Sequence, residues 1–261
     1  MKPHRIMSVA VGLGLLVLGQ AGAANGAEIK LFCSNGIKAV VADLVPQFER
    51  ATKHKVVVTY GLAVALKRRI DAGEPFDVAI LTPQAIDDAI KGGTIAADTR
   101  TPIARVGLAI AIRSGAGKAD IATVEAFKRA LLNAKSIAYA KEGASGVAFE
   151  AQIQRLGIAG DLKSKSKLTA TGEEVSESVL RGESEFGVLP VSEILPVKGI
   201  EVLAPFPADA QTYIVMVAGV GRNASQAAVG RDLIKFLTAP AALPVIKAKG
   251  MERAEVAGRS R

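Results

Sequence analysis

Short apolar runs alternate with stretches of helical period through most of this chain, and that alternation constrains its fold more than any other feature. Residues 28–32 end in an apolar strand pattern. Over 37–51, Ala39, Val40, Leu44, Phe48 and Ala51 recur near helical spacing and predict a helix. A β-branched strand follows over 55–59, then a helix over 64–72 that stops at Gly73. A buried strand over 76–81 leads to a helix over Pro83–Lys91, closed by Gly92 and Gly93. Three strand–helix units in succession predict a parallel sheet with helices on both faces. The pattern restarts after a Thr/Pro-containing stretch over 99–102, with strands over 106–112, 136–139 and 186–189 and a weaker one at Leu168-Thr169. Helices are expected over 123–133, 147–156 and 173–180, and over 225–237 and 241–249 after a last long strand at Tyr213–Val220. Two long strands thus bracket a middle block of about one hundred residues. The reading is an α/β protein of two lobes joined by two crossovers: lobe I over 28–105 and 213–255, lobe II over 106–212, and a frayed tail over 256–261.

Residues 1–27 follow another logic. Lys2 and Arg5 precede an apolar run from Met7 to Leu18, and small residues crowd from Ala21 to Ala27. That order is a cleavable export signal, and the run is shorter than the roughly 20 residues of a membrane span. Its removal leaves 234 of the 261 residues and lowers the net charge by two from +8. Cys33 is the only cysteine, so an internal disulfide is excluded. Bulky Phe32 before it argues against lipid attachment, and burial at a strand end is the expected fate of its thiol. A freely diffusing periplasmic monomer fits. Trp is absent and aromatic residues make up 4% of the chain. Stacking platforms for nucleic acid are therefore poorly supplied, and none is expected as a partner.

Chemistry concentrates where strands run into helices. Four such loops carry Gly or Ser: residues 33–36, 60–63, 142–146 and 171–172. Open α/β sheets bind ligands at the carboxyl ends of their strands, where helix N-termini offer free N–H groups to an anion. Thr171 and Glu174 fit a capping box that satisfies its own helix. Ser145 suits a cap or a ligand donor equally. Lys141 follows a buried strand and is placed to reach an anion. Lys67-Arg68-Arg69, Asp87 and Asp88 read as solvated helix faces. An enzyme is not expected. His4 leaves with the signal and His54 sits between Lys53 and Lys55 in a turn read as solvated. There is no G-x-S-x-G elbow, metal ligands of the His/Cys type are scarce, and no cofactor is expected. A hydrolase or isomerase on the same lobes is the alternative of another class.

Ile29-Lys30-Leu31-Phe32 leading into 36–48, then residues 66–73 (LKRRIDAG) and 76–80 (FDVAI), resemble the periplasmic molybdate-binding proteins of ABC importers. Residues 143–149, 185–189 and 213–217 carry the same likeness. The resemblance implies the type II periplasmic binding fold: two three-layer α/β lobes, joined by a two-strand hinge, closing on a small anion. It also implies delivery to a membrane permease. Its ligand positions map here to Gly36, Ala63, Ser145, Val175 and Pro190; Ser34 and Asn35, shifted along their loop, and Lys141 complete the expected ligand set. Gly36 and Ala63 stand where serine hydroxyls are expected, Ser145 stands at an alanine position, and Pro190 replaces a tyrosine and has no N–H. Val175 keeps its backbone donor. Each charge-assisted hydrogen bond lost to a buried dianion costs roughly 1.5–3 kcal/mol. Two cargoes stay open: an oxyanion such as molybdate, or a small di- or tricarboxylate in an enlarged cleft.

Overall fold

A computed structural model describes residues 26–254. The expected export signal lies outside the described residues except for Gly26 and Ala27, and the expected tail over 256–261 lies outside them altogether. The first three units are β1 (Glu28–Ser34) and α1 (Lys38–Thr52), β2 (Lys55–Gly61) and α2 (Ala63–Asp71), and β3 (Val78–Leu81) and α3 (Pro83–Lys91), with a 3-10 turn over Asn35–Ile37 leading into α1. Next come β4 (Thr101–Arg113), α4 (Val124–Asn133), β5 (Ile137–Ala140), α5 (Ala144–Arg155), α6 (Ala159–Leu162) and β6 (Ser166–Thr169). The chain continues with α7 (Gly172–Leu180), β7 (Phe186–Pro190), α8 (Val191–Ile194), β8 (Ile200–Pro205) and β9 (Tyr213–Val220). It closes with α9 (Ala227–Thr238), α10 (Leu243–Ala248) and β10 (Glu252–Arg253).

One ten-stranded sheet runs in the order β2-β1-β3-β9-β4-β7-β5-β6, with β8 and β10 also on β4. β1 is parallel to both β2 and β3, as the repeated strand–helix units require. β5 is likewise parallel to β6 and β7. Between these two parallel blocks lie the antiparallel strands β9 and β4. β4 belongs to both: Thr101–Gly107 pair with β9, and Leu108–Arg113 with β7 and β8. Its side chains alternate with the period of 2 that a strand imposes. Leu108, Ile110 and Ile112 enter the large core shared by the two blocks, and Ala109 and Ala111 face a smaller one under α7 and α8. Helices α1, α9 and α10 cover the shared core over the first block, while α2 and α3 cover its other face through Leu66, Ile70, Ile86 and Ala89.

The residues that carry the family resemblance hold this frame together. Leu66 and Ile70 are 1% and 2% exposed one helical turn apart, and Gly73 takes φ +82° just beyond α2, where a side chain is strained. Asp77 is buried and accepts from Lys30 N (2.8 Å), Ser225 Oγ (3.1 Å) and Gln226 N (2.9 Å). It ties β1 to the start of α9. Cys33 is buried as expected, and burial pushes its thiol well above the ordinary range.

Several boundaries differ from the sequence reading. β4 begins at Thr101 rather than at 106. A register shift between Pro102 and Ala104 accommodates the proline of the Thr/Pro-containing stretch. α5 begins at Ala144, because Gly146 is a helical residue and not a loop residue. The helices α6 and α8 are four residues each and β10 two, too short to show a period. His54 is not a solvated turn residue: its Nδ1 accepts from Ala27 N at 2.9 Å and its ring stacks on Phe48 at 6.2 Å, fixing the start of β1.

Candidate functional site

A backbone N–H at a helix start is free for a ligand only if no side chain caps it. Among the described helices only two starts carry a side-chain cap. Thr123 accepts from Ala126 N and Thr171 from Glu174 N, closing the starts of α4 and α7. The starts of α2, α3 and α5, and of the 3-10 turn that feeds α1, have no side-chain cap. All four open onto one cavity of about 380 Å³, lined there by Ser34–Gly36, Ala63, Thr82 and Gly143–Ser145. Pro190 and Gly172 close its floor, and Val64, Val147, Ala148, Ile214 and Met216 make an apolar wall. Among the described residues no Lys or Arg lines it, so the positive ends of the helices are its source of attraction for an anion.

The helix starts come from both blocks, and polar contacts join the two blocks beside the cavity. Arg68 of α2 reaches Glu142 at 3.0 Å. Lys38 and Asn35 both reach Glu173 of α7 at 3.3 Å. Ser192 Oγ donates to the Gly36 carbonyl at 2.8 Å in a buried contact. The ion pairs are largely exposed and each contributes about 0–1 kcal/mol. They hold the two faces in register more than they stabilise the fold.

Six of the eight expected ligand positions meet here: Ser34, Asn35, Gly36, Ala63, Ser145 and Pro190 line the cavity. Ser145 is buried and makes no side-chain hydrogen bond among the described residues, so its hydroxyl is available and does not cap α5. Two positions do not meet the expectation. Lys141 is exposed and absent from the cavity wall; its backbone N–H continues the sheet by donating to Thr169 O. The residue follows β5 at the point where the strand direction carries its side chain to solvent. Val175 is fully buried in the core under α7, and its N–H donates within the helix to Thr171 O at 3.3 Å.

Sequence reasoning missed Thr82, Met216 and, above all, Glu193. Glu193 lies on α8, a helix too short to be read from the sequence, and borders both this cavity and an adjoining groove of about 410 Å³ between α1 and α7. Its carboxyl rests against two glycines. A Cβ on Gly172 would lie 2.1 Å from Glu193 Oε2, and one on Gly36 3.8 Å from Oε1 and 2.5 Å from Met216 Cε. Glycine at 172 is what lets the carboxyl sit at the start of α7, while glycine at 36 makes room for Met216. Burial, reinforced by nearby Glu173 and opposed by Lys38, pushes its pKa up to about 7. It makes no side-chain hydrogen bond or ion pair among the described residues.

A mixed sheet with uncapped helix starts facing each other across a cleft is the architecture of a two-lobed binding protein. The family model for "Bacterial extracellular solute-binding protein" matches residues 29–252, and the chain belongs to that family. Among known proteins, it is 28% identical over 255 residues to an aconitate isomerase from Pseudomonas sp, spanning 95% of this chain and 97% of that one. It is 29% identical over 257 residues to the molybdate-binding protein ModA of Azotobacter vinelandii, spanning 93% and 95%. The solved structure of an Azotobacter vinelandii periplasmic molybdate-binding protein superimposes with a TM-score of 0.76 at 18% identity, covering 87% of this chain and all of that one. The fold is therefore the type II periplasmic binding fold, and the resemblance to molybdate-binding proteins read from the sequence is borne out.

Proposed function

We propose that this protein captures a small organic polycarboxylate in the cleft and serves as the soluble receptor of an ABC importer. The observation that carries the ligand class is the pairing of four uncapped helix starts with an apolar wall of Val64, Val147, Ile214 and Met216. Carboxylates bind the N–H groups, and a carbon skeleton covers apolar surface that a bare oxyanion leaves in contact with water. Gly36, Ala63 and Pro190 bring no side-chain hydroxyl to the cage that a tetrahedral anion needs. The aconitate isomerase relative, whose name contains an unsaturated tricarboxylate, supports the same class. On this reading Ser34, Asn35, Ser145 and Thr82 orient the ligand. Residues 28–105 with 213–255 form one lobe and 106–212 the other, residues 1–27 direct export to the periplasm, and the monomer hands its ligand to a membrane permease.

A molybdate-type oxyanion is the second reading, favoured by the molybdate-binding relative and by the free Ser34 and Ser145 hydroxyls. Calorimetric titration of the protein lacking residues 1–27 with molybdate, tungstate, sulfate and a panel of di- and tricarboxylates separates the two. Micromolar or tighter binding of a tricarboxylate with silent oxyanions is expected. Submicromolar molybdate with silent carboxylates overturns the proposal.

A further inference from the structure

Glu193 is unexplained by anion capture alone, because a carboxylate beside the starts of two helices competes with an anionic ligand. Its surroundings suit a different task. The carboxyl borders the cavity, is free of hydrogen bonds among the described residues, and occupies space that a Cβ on Gly172 would fill. Charged groups lining the two cavities it borders are Lys38 from α1, Glu142 before α5, and Glu173 and Glu177 from α7. Lys38 is engaged by Glu173 and Glu142 by Arg68. Among the described residues no cation forms an ion pair with Glu193 itself, Lys38 acting on it only at longer range.

We propose that Glu193 is a catalytic residue that moves a proton between two carbons of an unsaturated polycarboxylate bound in the cleft. This rests on the polycarboxylate reading of the site. The ionised carboxyl takes a proton from a CH₂ that lies between a carboxylate and a carbon–carbon double bond. The electron pair left behind spreads over the three-carbon unit and its carboxylates, whose charge faces the free N–H groups of the helix starts. Glu193, now protonated, returns the proton to the far carbon of that unit. One C–H bond breaks and another forms, the double bond moves by one position, and its geometry is reset. No oxidant, water or metal is consumed. A carboxyl with a pKa near neutrality serves both halves of this step, because the same group must accept the proton and give it back.

The test incubates the purified protein with cis-aconitate or trans-aconitate in D₂O and follows isomer composition and deuterium uptake by proton NMR. The wild type is expected to interconvert the isomers and to exchange the carbon-bound protons. Glu193→Gln keeps the side-chain volume; it is expected to bind aconitate within about tenfold of wild type by calorimetry while turnover falls by roughly 10²–10⁴, the usual size of one acid–base contribution. Glu193→Asp is expected to recover part of kcat with little change in KM. Aconitate binding by the wild type with no exchange and no isomerisation overturns the proposal and leaves the ligand class standing. So does undiminished turnover in Glu193→Gln. Absence of binding by any carboxylate overturns both.

Discussion

Gly146→Ala probes whether the cleft depends on how tightly α5 sits on β5. A Cβ at this position would lie 1.9 Å from the Ala140 carbonyl oxygen and 2.9 Å from its carbon. Carbon and carbonyl oxygen approach no closer than about 3.3 Å, so the contact at 1.9 Å overlaps by roughly 1.4 Å. Ala140 is backbone at the end of a strand buried along its whole length and has no freedom to retreat. The first turn of α5 must tilt away. Overpacking costs about 1–3 kcal/mol, with a rigid backbone neighbour placing this case at the upper end. Replacing a helical Gly recovers at most about 1 kcal/mol. The net loss is about 2 kcal/mol, and for a chain of this size Tm falls by roughly 4–8 °C. Ser145 and the N–H groups of the same turn move with the helix. Losing one charge-assisted hydrogen bond to the ligand weakens affinity by roughly 10–100-fold. Differential scanning calorimetry and ligand titration on the same preparation measure both effects. A Tm within about a degree of wild type, with unchanged affinity, would refute the close packing and its link to the site.

Asp77→Ala leaves Lys30 N, Gln226 N and the Ser225 hydroxyl without their shared acceptor, and urea denaturation is expected to show a loss of about 2–4 kcal/mol. Cys33 is fully buried, so a thiol reagent is expected to label it only at the rate of global or local opening, and to label it at once in denaturant. Glu193 has a folded-state pKa raised from 4.5 to about 7, so the native state binds more protons than the unfolded chain between these values. Its component of stability is present below about pH 4.5 and declines as pH rises to about 7. Glu193→Gln is expected to flatten that stretch of the Tm-versus-pH curve and to be the more stable protein at pH 8.

The fold was legible because its strongest signals are periodic. The three opening strand–helix units and Tyr213–Val220 come straight from the spacing of buried residues such as Val40, Leu44 and Phe48. The same applies to the motif over 66–80: its Leu66, Ile70, Gly73 and Asp77 shape a helix, a turn and a strand tie, and none of them touches the cavity. A sequence signature that specific marks the frame and is silent on the cargo. The helix-start loops were also readable, since Gly36, Ala63 and Ser145 stand at strand–helix junctions. What stayed hidden depended on tertiary approach. Glu193 gains its role only because the four-residue α8 lays it over Gly36 and Gly172, which are 136 residues apart in sequence. Lys141 misled for the converse reason: a cation beside a Gly-rich loop reads as a ligand, while the strand it ends turns it outward.

The most direct test of the central claim is a crystal structure of the protein bound to trans-aconitate. The account predicts carboxylates against the N–H groups that begin α1, α2 and α5, the carbon skeleton on Val147, Ile214 and Met216, and a C–H group facing Glu193. A tricarboxylate seated outside this cavity, or a tetrahedral oxyanion caged within it in preference to the organic acid, would contradict the account.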